Sequence, residues 1–161
     1  MALQEPLEKE LNRLLQEGVI RESESPYRSG LIAIRKKDSS LRLVLNMKKL
    51  NERCEDDLYP LANPYDVLTK TAGKKFVSKI DLSKAFLQLK LSEDSQDYTS
   101  FSTYLGSYCF QRCVPGYKNG PRVMQRVIDR ILRGTSSYAN ALPDDICIAS
   151  YTFEDHLKHV R

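Results

Sequence analysis

Ala139-Asn140-Ala141-Leu142-Pro143-Asp144-Asp145-Ile146-Cys147-Ile148-Ala149-Ser150 places two adjacent acids between apolar runs. Unpaired charge is costly in apolar surroundings, so something positive has to meet these carboxylates. Two readings stand on this stretch alone. Aspartate favours turn positions, which makes it the tip of a hairpin between two short strands. Alternatively it is one side of a cation site, and that requires a further carboxylate from elsewhere in the chain.

Such a carboxylate lies about sixty residues earlier. Lys75-Phe76-Val77-Ser78-Lys79-Ile80-Asp81 alternates as a half-buried strand does and ends on an acid. Leu82-Ser83-Lys84-Ala85-Phe86 then turns the chain, and Leu87, Leu89 and Leu91 resume a period of two. One acid at a strand end and two on a hairpin suffice for a pair of divalent ions. Two-metal phosphoryl chemistry sets such ions about 3.5–4 Å apart, on the attacking and leaving oxygens. Mg²⁺ suits hard oxygen donors, with Mn²⁺ a possible substitute.

The 161 residues fit one domain, or a piece of a larger protein, and a hydrophobic fraction of 41% supports an ordinary core. The net charge of +4 hides local bias. Arg35 to Arg53 holds seven basic residues against Asp38 and Glu52, and Gln111 to Arg133 holds six against Asp129. Clustered charge with a modest total points to a groove rather than a basic tail. Cys54, Cys109, Cys113 and Cys147 lack metal-ligand spacing and read as reduced core residues of an intracellular protein. No apolar run reaches the length of a membrane span, and no signal peptide or internal repeat is visible.

In chain order, Pro6 to Glu17 reads as an amphipathic helix stopped by Gly18. Leu31 to Lys37 and Leu41 to Leu45 read as a hairpin around Asp38-Ser39-Ser40. Its Arg35, Lys36, Lys37 and Arg42 suit either a triphosphate or plain solvent. Asn63-Pro64 opens a helix that ends near Gly73. Tyr98 to Tyr104 and Tyr108 to Val114 read as a second hairpin turning at Gly106-Ser107. A helix follows Pro121 to about Arg133, with Arg122, Arg126, Arg130 and Arg133 on one face and Val123, Met124, Val127, Ile128 and Ile131 on the other. That basic face reads equally as a nucleic-acid contact or an ordinary surface. A last helix starts at Thr152, with His156 and His159 expected on its surface. The order of elements predicts an α+β fold with a mainly antiparallel sheet, helices packed on one face and the acids at the open face.

From about Leu7 to Val160 the sequence resembles reverse transcriptases of gypsy-class LTR retrotransposons. Leu14-Leu15-Gln16-Glu17-Gly18-Val19-Ile20-Arg21 followed by Ser25-Pro26-Tyr27 resembles the opening helix of that family. Arg35-Lys36-Lys37-Asp38 to Arg42, then Lys48-Lys49-Leu50-Asn51, resembles the fingers hairpin. Phe76 to Gln88 resembles the first catalytic strand, Pro115 to Pro121 the loop and helix under primer and template, and Asp144-Asp145 the second acid motif.

The resemblance implies a right-hand polymerase fingers and palm in a single domain, residues 1–75 mostly fingers and 76–161 mostly palm, with fingers elements also around 90–115 and the thumb absent. It implies RNA-directed DNA synthesis on an RNA or DNA primer–template, with dNTP as substrate and other parts of a Pol polyprotein as companions. The setting would be cytoplasmic, in an element particle, or nuclear. Asp81, Asp144 and Asp145 would hold two Mg²⁺ ions with the Leu82 carbonyl. Amides near Lys84 and Ala85 would face the triphosphate, Phe86 would stack under its sugar, and Lys36 and Arg42 would neutralise its phosphates. Arg122, Arg126 and Arg130 would meet nucleic acid. This chain departs from the family pattern at several points. Leu142-Pro143 replaces an aromatic and a β-branched residue, a Phe is missing between Pro115 and Gly116, Asn46 stands where an acid is common, and Arg122 where a small residue is common. These departures make a non-catalytic remnant the alternative function, with a structural subunit of a partner polymerase a further one.

Overall fold

The computed structural model describes residues 4–36 and 40–161. Its first elements are α1 (Gln4–Gln16), β1 (Ile20–Glu22), β2 (Leu31–Arg35), β3 (Leu41–Leu45), α2 (Lys48–Asn51) and α3 (Pro64–Thr71). There follow β4 (Phe76–Asp81), α4 (Ala85–Gln88), α5 (Glu93–Gln96), a single 3₁₀ turn, β5 (Phe101–Thr103) and β6 (Gly106–Phe110). The last are α6 (Gly120–Ile131), β7 (Ala139–Ala141), β8 (Asp145–Ser150) and α7 (Phe153–Val160). All strand pairs in these sheets are antiparallel. No helix among the described residues is long and apolar enough to cross a membrane.

Two compact units divide the chain, and it visits each twice. The first takes Met1–Glu55 and Phe86–Gly120, the second Asp56–Ala85 and Pro121–Arg161. The second unit is closed by segments far apart in sequence, because β4 pairs with β8 rather than with its neighbours in the chain.

The first unit is built on a three-stranded sheet, β1-β6-β5, and the β2-β3 ribbon. Leu11, Leu14, Ile20, Leu41, Leu45, Phe101, Phe110 and Val114 are among its buried core residues. The end of α1 shows how sequence fixes geometry. Gly18 adopts φ 62, the Gly18 N–H bonds the Leu15 carbonyl at 3.1 Å, and the Val19 N–H bonds the Leu14 carbonyl at 2.9 Å. This paired closure satisfies two orphan carbonyls and turns Val19 back onto Leu14, which glycine allows at no steric cost. The β5-β6 hairpin turns at Tyr104-Leu105, two residues earlier than expected, since Thr103 pairs with Gly106. The expected strand through Leu87–Leu91 is instead α4 followed by an isolated bridge between Lys90 and Arg112. Lys37, Asp38 and Ser39, part of the expected basic hairpin, lie outside the described residues.

In the second unit the sheet order is β4-β8-β7. α7 covers the face of β4 that presents Phe76 and Ser78. The Phe76 and Phe153 ring centroids are 5.7 Å apart, and Ser78 Oγ lies 2.8 Å from His156 Nε2. Lys79 and Asp81 point to the other face, as period two requires. His156 corrects the surface reading of the histidines: it is 8% exposed and also bonds Ser150 Oγ through Nδ1 at 3.1 Å. α3 opens as expected, with the Asn63 side chain accepting from the Tyr65 N–H at 2.9 Å and Pro64 in the first turn. α6 buries Met124, Gln125 and Ile128. Ile131, expected on that apolar face, is 71% exposed.

Candidate active site

Strand register brings the acids of the second unit together. Asp81 closes β4 directly opposite Asp145, the first residue of β8. Asp144 sits in the turn between β7 and β8, where Leu142 and Asp145 exchange two backbone hydrogen bonds of 2.8 and 3.3 Å. Only Pro143 and Asp144 remain between them. Neither has positive φ, which fits the type I turn that proline favours at its first position. The N–H that proline lacks is not required there, so Pro143 is compatible with the hairpin. The Leu82 N–H then donates to the Asp144 carbonyl at 2.8 Å, tying the backbone after Asp81 to the acid pair.

Beyond Asp81 the chain folds into a tight turn. The Ala85 N–H donates to the Leu82 carbonyl at 3.1 Å, and Lys84 takes the left-handed φ of 50. A non-glycine residue there costs about 1 kcal/mol, the kind of strain that gathers at functional sites. The Ala85 amide, expected to face a triphosphate, closes this turn in the present conformation. The Leu82 carbonyl takes that bond and keeps a second lone pair.

Lys79, which the sequence reading passed over, completes the electrostatics. Its Nζ lies 2.8 Å from Asp145 Oδ2. The hydrogen bond to Asp145 and that carboxylate's charge raise the lysine's pKa, with smaller contributions from Asp81 and Asp144. The signal was present in the alternation of β4, where Lys79 shares a face with Asp81. The donors are all hard oxygens, which suits a divalent ion. Even so, among the described residues no three acid, histidine or cysteine side chains converge into a set that could hold a metal. The backbone has brought the acids to one end of the sheet, while the Asp145 carboxylate is engaged by Lys79.

Two of the three arginines on α6 are turned to internal use. Arg126 grips both carboxylate oxygens of Asp57 at 2.7 and 2.8 Å, and its guanidinium carbon stands 4.8 Å over the Tyr59 ring. Arg122 donates to the Tyr59 carbonyl at 2.6 Å. The Tyr59 N–H and then Arg126 hold the Asp57 carboxyl below its ordinary range. The Tyr59 hydroxyl donates to Asp129 at 2.8 Å, and this bond pushes the phenol upward. The arginines are thus not an open basic face: Arg122 and Arg126 fasten the extended segment 57–59 along the helix, and Arg130 is exposed.

The remaining candidates belong to the first unit. Lys36 and Arg42 are exposed at the outer end of the β2-β3 ribbon. Phe86 is half-buried, and a Cβ built on Gly120 would meet its ring at 3.3 Å. The shortened loop before Gly120 is well bonded. Asn51 donates to the Gly116 carbonyl at 2.8 Å and accepts from the Lys118 N–H at 3.0 Å, while Asn119 donates to the Glu55 carbonyl at 2.8 Å. Asn46 retains the acceptor that an acid would supply, taking the Lys48 N–H at 3.1 Å.

Comparison with known proteins gives this geometry its class. Residues 34–161 match the reverse transcriptase (RNA-dependent DNA polymerase) family, and the chain belongs to it. It is 35% identical over 163 residues to the retrovirus-related Pol polyprotein from transposon opus of Drosophila melanogaster, covering 96% of this chain and 16% of that protein. To the corresponding polyprotein from transposon gypsy it is 33% identical over 169 residues, covering 99% and 16%. The enzymatic polyprotein of cauliflower mosaic virus (strain Strasbourg) is 32% identical over 160 residues, covering 97% and 24%. The chain thus spans from about a sixth to a quarter of the length of these relatives. In fold it matches a foamy viral protease–reverse transcriptase solved with double-stranded DNA, with a TM-score of 0.87 and 24% identity over 99% of this chain and 28% of that one. The same enzyme with an RNA/DNA hybrid gives 0.85 and 24% over 96% and 21%. The fold is therefore that of reverse transcriptase fingers and palm, with mixed helices and antiparallel sheets.

Proposed function

We propose that this chain is the fingers and palm portion of an RNA-directed DNA polymerase, which joins dNTP to a primer 3′-hydroxyl on an RNA or DNA template. The observation that carries the reading is the register of β4 and β8, which sets Asp81 opposite Asp145 with Asp144 fastened to Leu82. Asp81, Asp144 and Asp145, with the Leu82 carbonyl, would hold two divalent ions, Mg²⁺ by the hardness of the donors. When bound, such ions supply charge stabilisation and an acidified hydroxyl. The protein's own share is positioning, which is most of the catalysis in phosphoryl transfer. Lys36 and Arg42 would neutralise phosphate charge, the turn at Lys84 and Ala85 would shape the triphosphate site, and Phe86 would lie under the sugar. Arg130, with a smaller share from Arg122 and Arg126, would meet the nucleic-acid backbone. The four free cysteines fit a reducing compartment, cytoplasmic or nuclear.

The test is Mg²⁺-dependent extension of a primer on an RNA template, run beside Asp144→Asn. Extension that disappears in the folded variant supports the reading. A folded wild-type chain that binds primer–template without extending it would instead favour a nucleic-acid-binding remnant.

A further inference from the structure

We propose that Lys79 is a positioning residue of the acid site, a counter-ion on the strand itself that occupies Asp145 until a divalent cation displaces it. The inference rests on the reading of Asp81, Asp144 and Asp145 as cation ligands. Three observations carry it.

The first is placement. Lys79 stands opposite Cys147 in the β4-β8 register, one diagonal step from Asp145, and alternation puts it on the same face as Asp81. Its Nζ lies 2.8 Å from Asp145 Oδ2, and the charges of Asp81 and Asp144 act on it as well. The second is asymmetry of exposure. The Lys79 side chain is 67% exposed and that of Asp145 22%. The ammonium can swing into water on its flexible stem while the backbone stays still. The third is that no three candidate ligands converge among the described residues, although the backbone sets the acids side by side. The lysine engaged at Asp145 holds that carboxylate in an ion pair instead of leaving it open to a cation. A partly exposed ion pair is weak and yields to a doubly charged ion that attracts all three carboxylates. Without a cation, Lys79 relieves the repulsion between neighbouring acids.

Titration of the whole chain with Mn²⁺, followed by the loss of the free-ion EPR signal at fixed ionic strength, tests this directly. Lys79→Gln should bind Mn²⁺ about three- to tenfold more tightly than the wild type, whereas Lys79→Arg should stay within about twofold. Equal or weaker binding by Lys79→Gln overturns the proposal. Asp81→Asn separates it from the site reading: if that change leaves wild-type Mn²⁺ binding untouched, the ion is not at the acids and both ideas fall together. A readout independent of any variant is the ¹⁵Nζ resonance of Lys79 in the wild-type chain. It should move as Mg²⁺ is added, over the range in which the metal binds, and a resonance that stays in place also overturns the displacement.

Discussion

Gly120 lacks a side chain where a ring stands in the way. A Cβ there would come 3.3 and 3.4 Å from two atoms of Phe86, closer than a rigid ring accepts without moving. Gly120→Ala should therefore destabilise the protein by about 1–2 kcal/mol in denaturant titration. In a Phe86→Ala background the same change should cost much less, and an equal loss in both backgrounds would show that the two residues are independent. Phe86→Val should also raise ribonucleotide incorporation, while an unchanged sugar preference would remove Phe86 from the sugar site. Cys113 makes a different prediction. Burial raises its thiol from 9.0 to about 11, so the folded state prefers the protonated form. The linked stability is complete below about pH 9 and is lost as pH rises towards 11. Cys113→Ala should remove that part of the alkaline decline, and an unaltered slope would assign the decline to other groups. His156 shows what alternation and spacing leave hidden. Its burial between Ser78 and Ser150 is decided by how α7 lies on the sheet, and nothing in the local pattern records that.

At the scale of elements, α6 is legible as a helix, while the internal partners of Arg122 and Arg126 are not. The sequence reading weighed its arginines only against acids nearby in the chain. Asp57, which takes Arg126, comes from 69 residues away. The consequence is measurable in the salt dependence of primer–template binding, where each phosphate-neutralising cation contributes to the slope. Arg130→Ala should flatten the slope by about one charge. Arg126→Ala should leave the slope nearly unchanged and lower stability instead, together with Asp57→Asn in a non-additive way. Equal flattening by both arginine variants would mean that the Asp57 clamp opens when nucleic acid binds. The acid hairpin fared better: Asp144 is a turn residue, as its residue type suggests, and the turn is what ties it to the backbone next to Asp81. Pro143 was harder to judge, since its fit depends on turn type, which follows from the pairing of Leu142 with Asp145.

For the molecule as a whole, the family and the α+β class could be read from the residues, while the strand pairing that builds the second unit could not. A strand does not announce its partner, and β4 finds its partner some seventy residues later: Phe76 pairs with Ser150 and Asp81 with Asp145. That separation sets the order in which the protein can be made. A chain leaving the ribosome has every residue of the first unit in hand by Gly120. At that moment β4 is still waiting, with neither edge of its backbone paired to a strand, for a partner not yet synthesised. Translation interrupted before β8 leaves Asp81 with no acid opposite it, so a nascent chain acquires its candidate chemistry only near the end of this stretch.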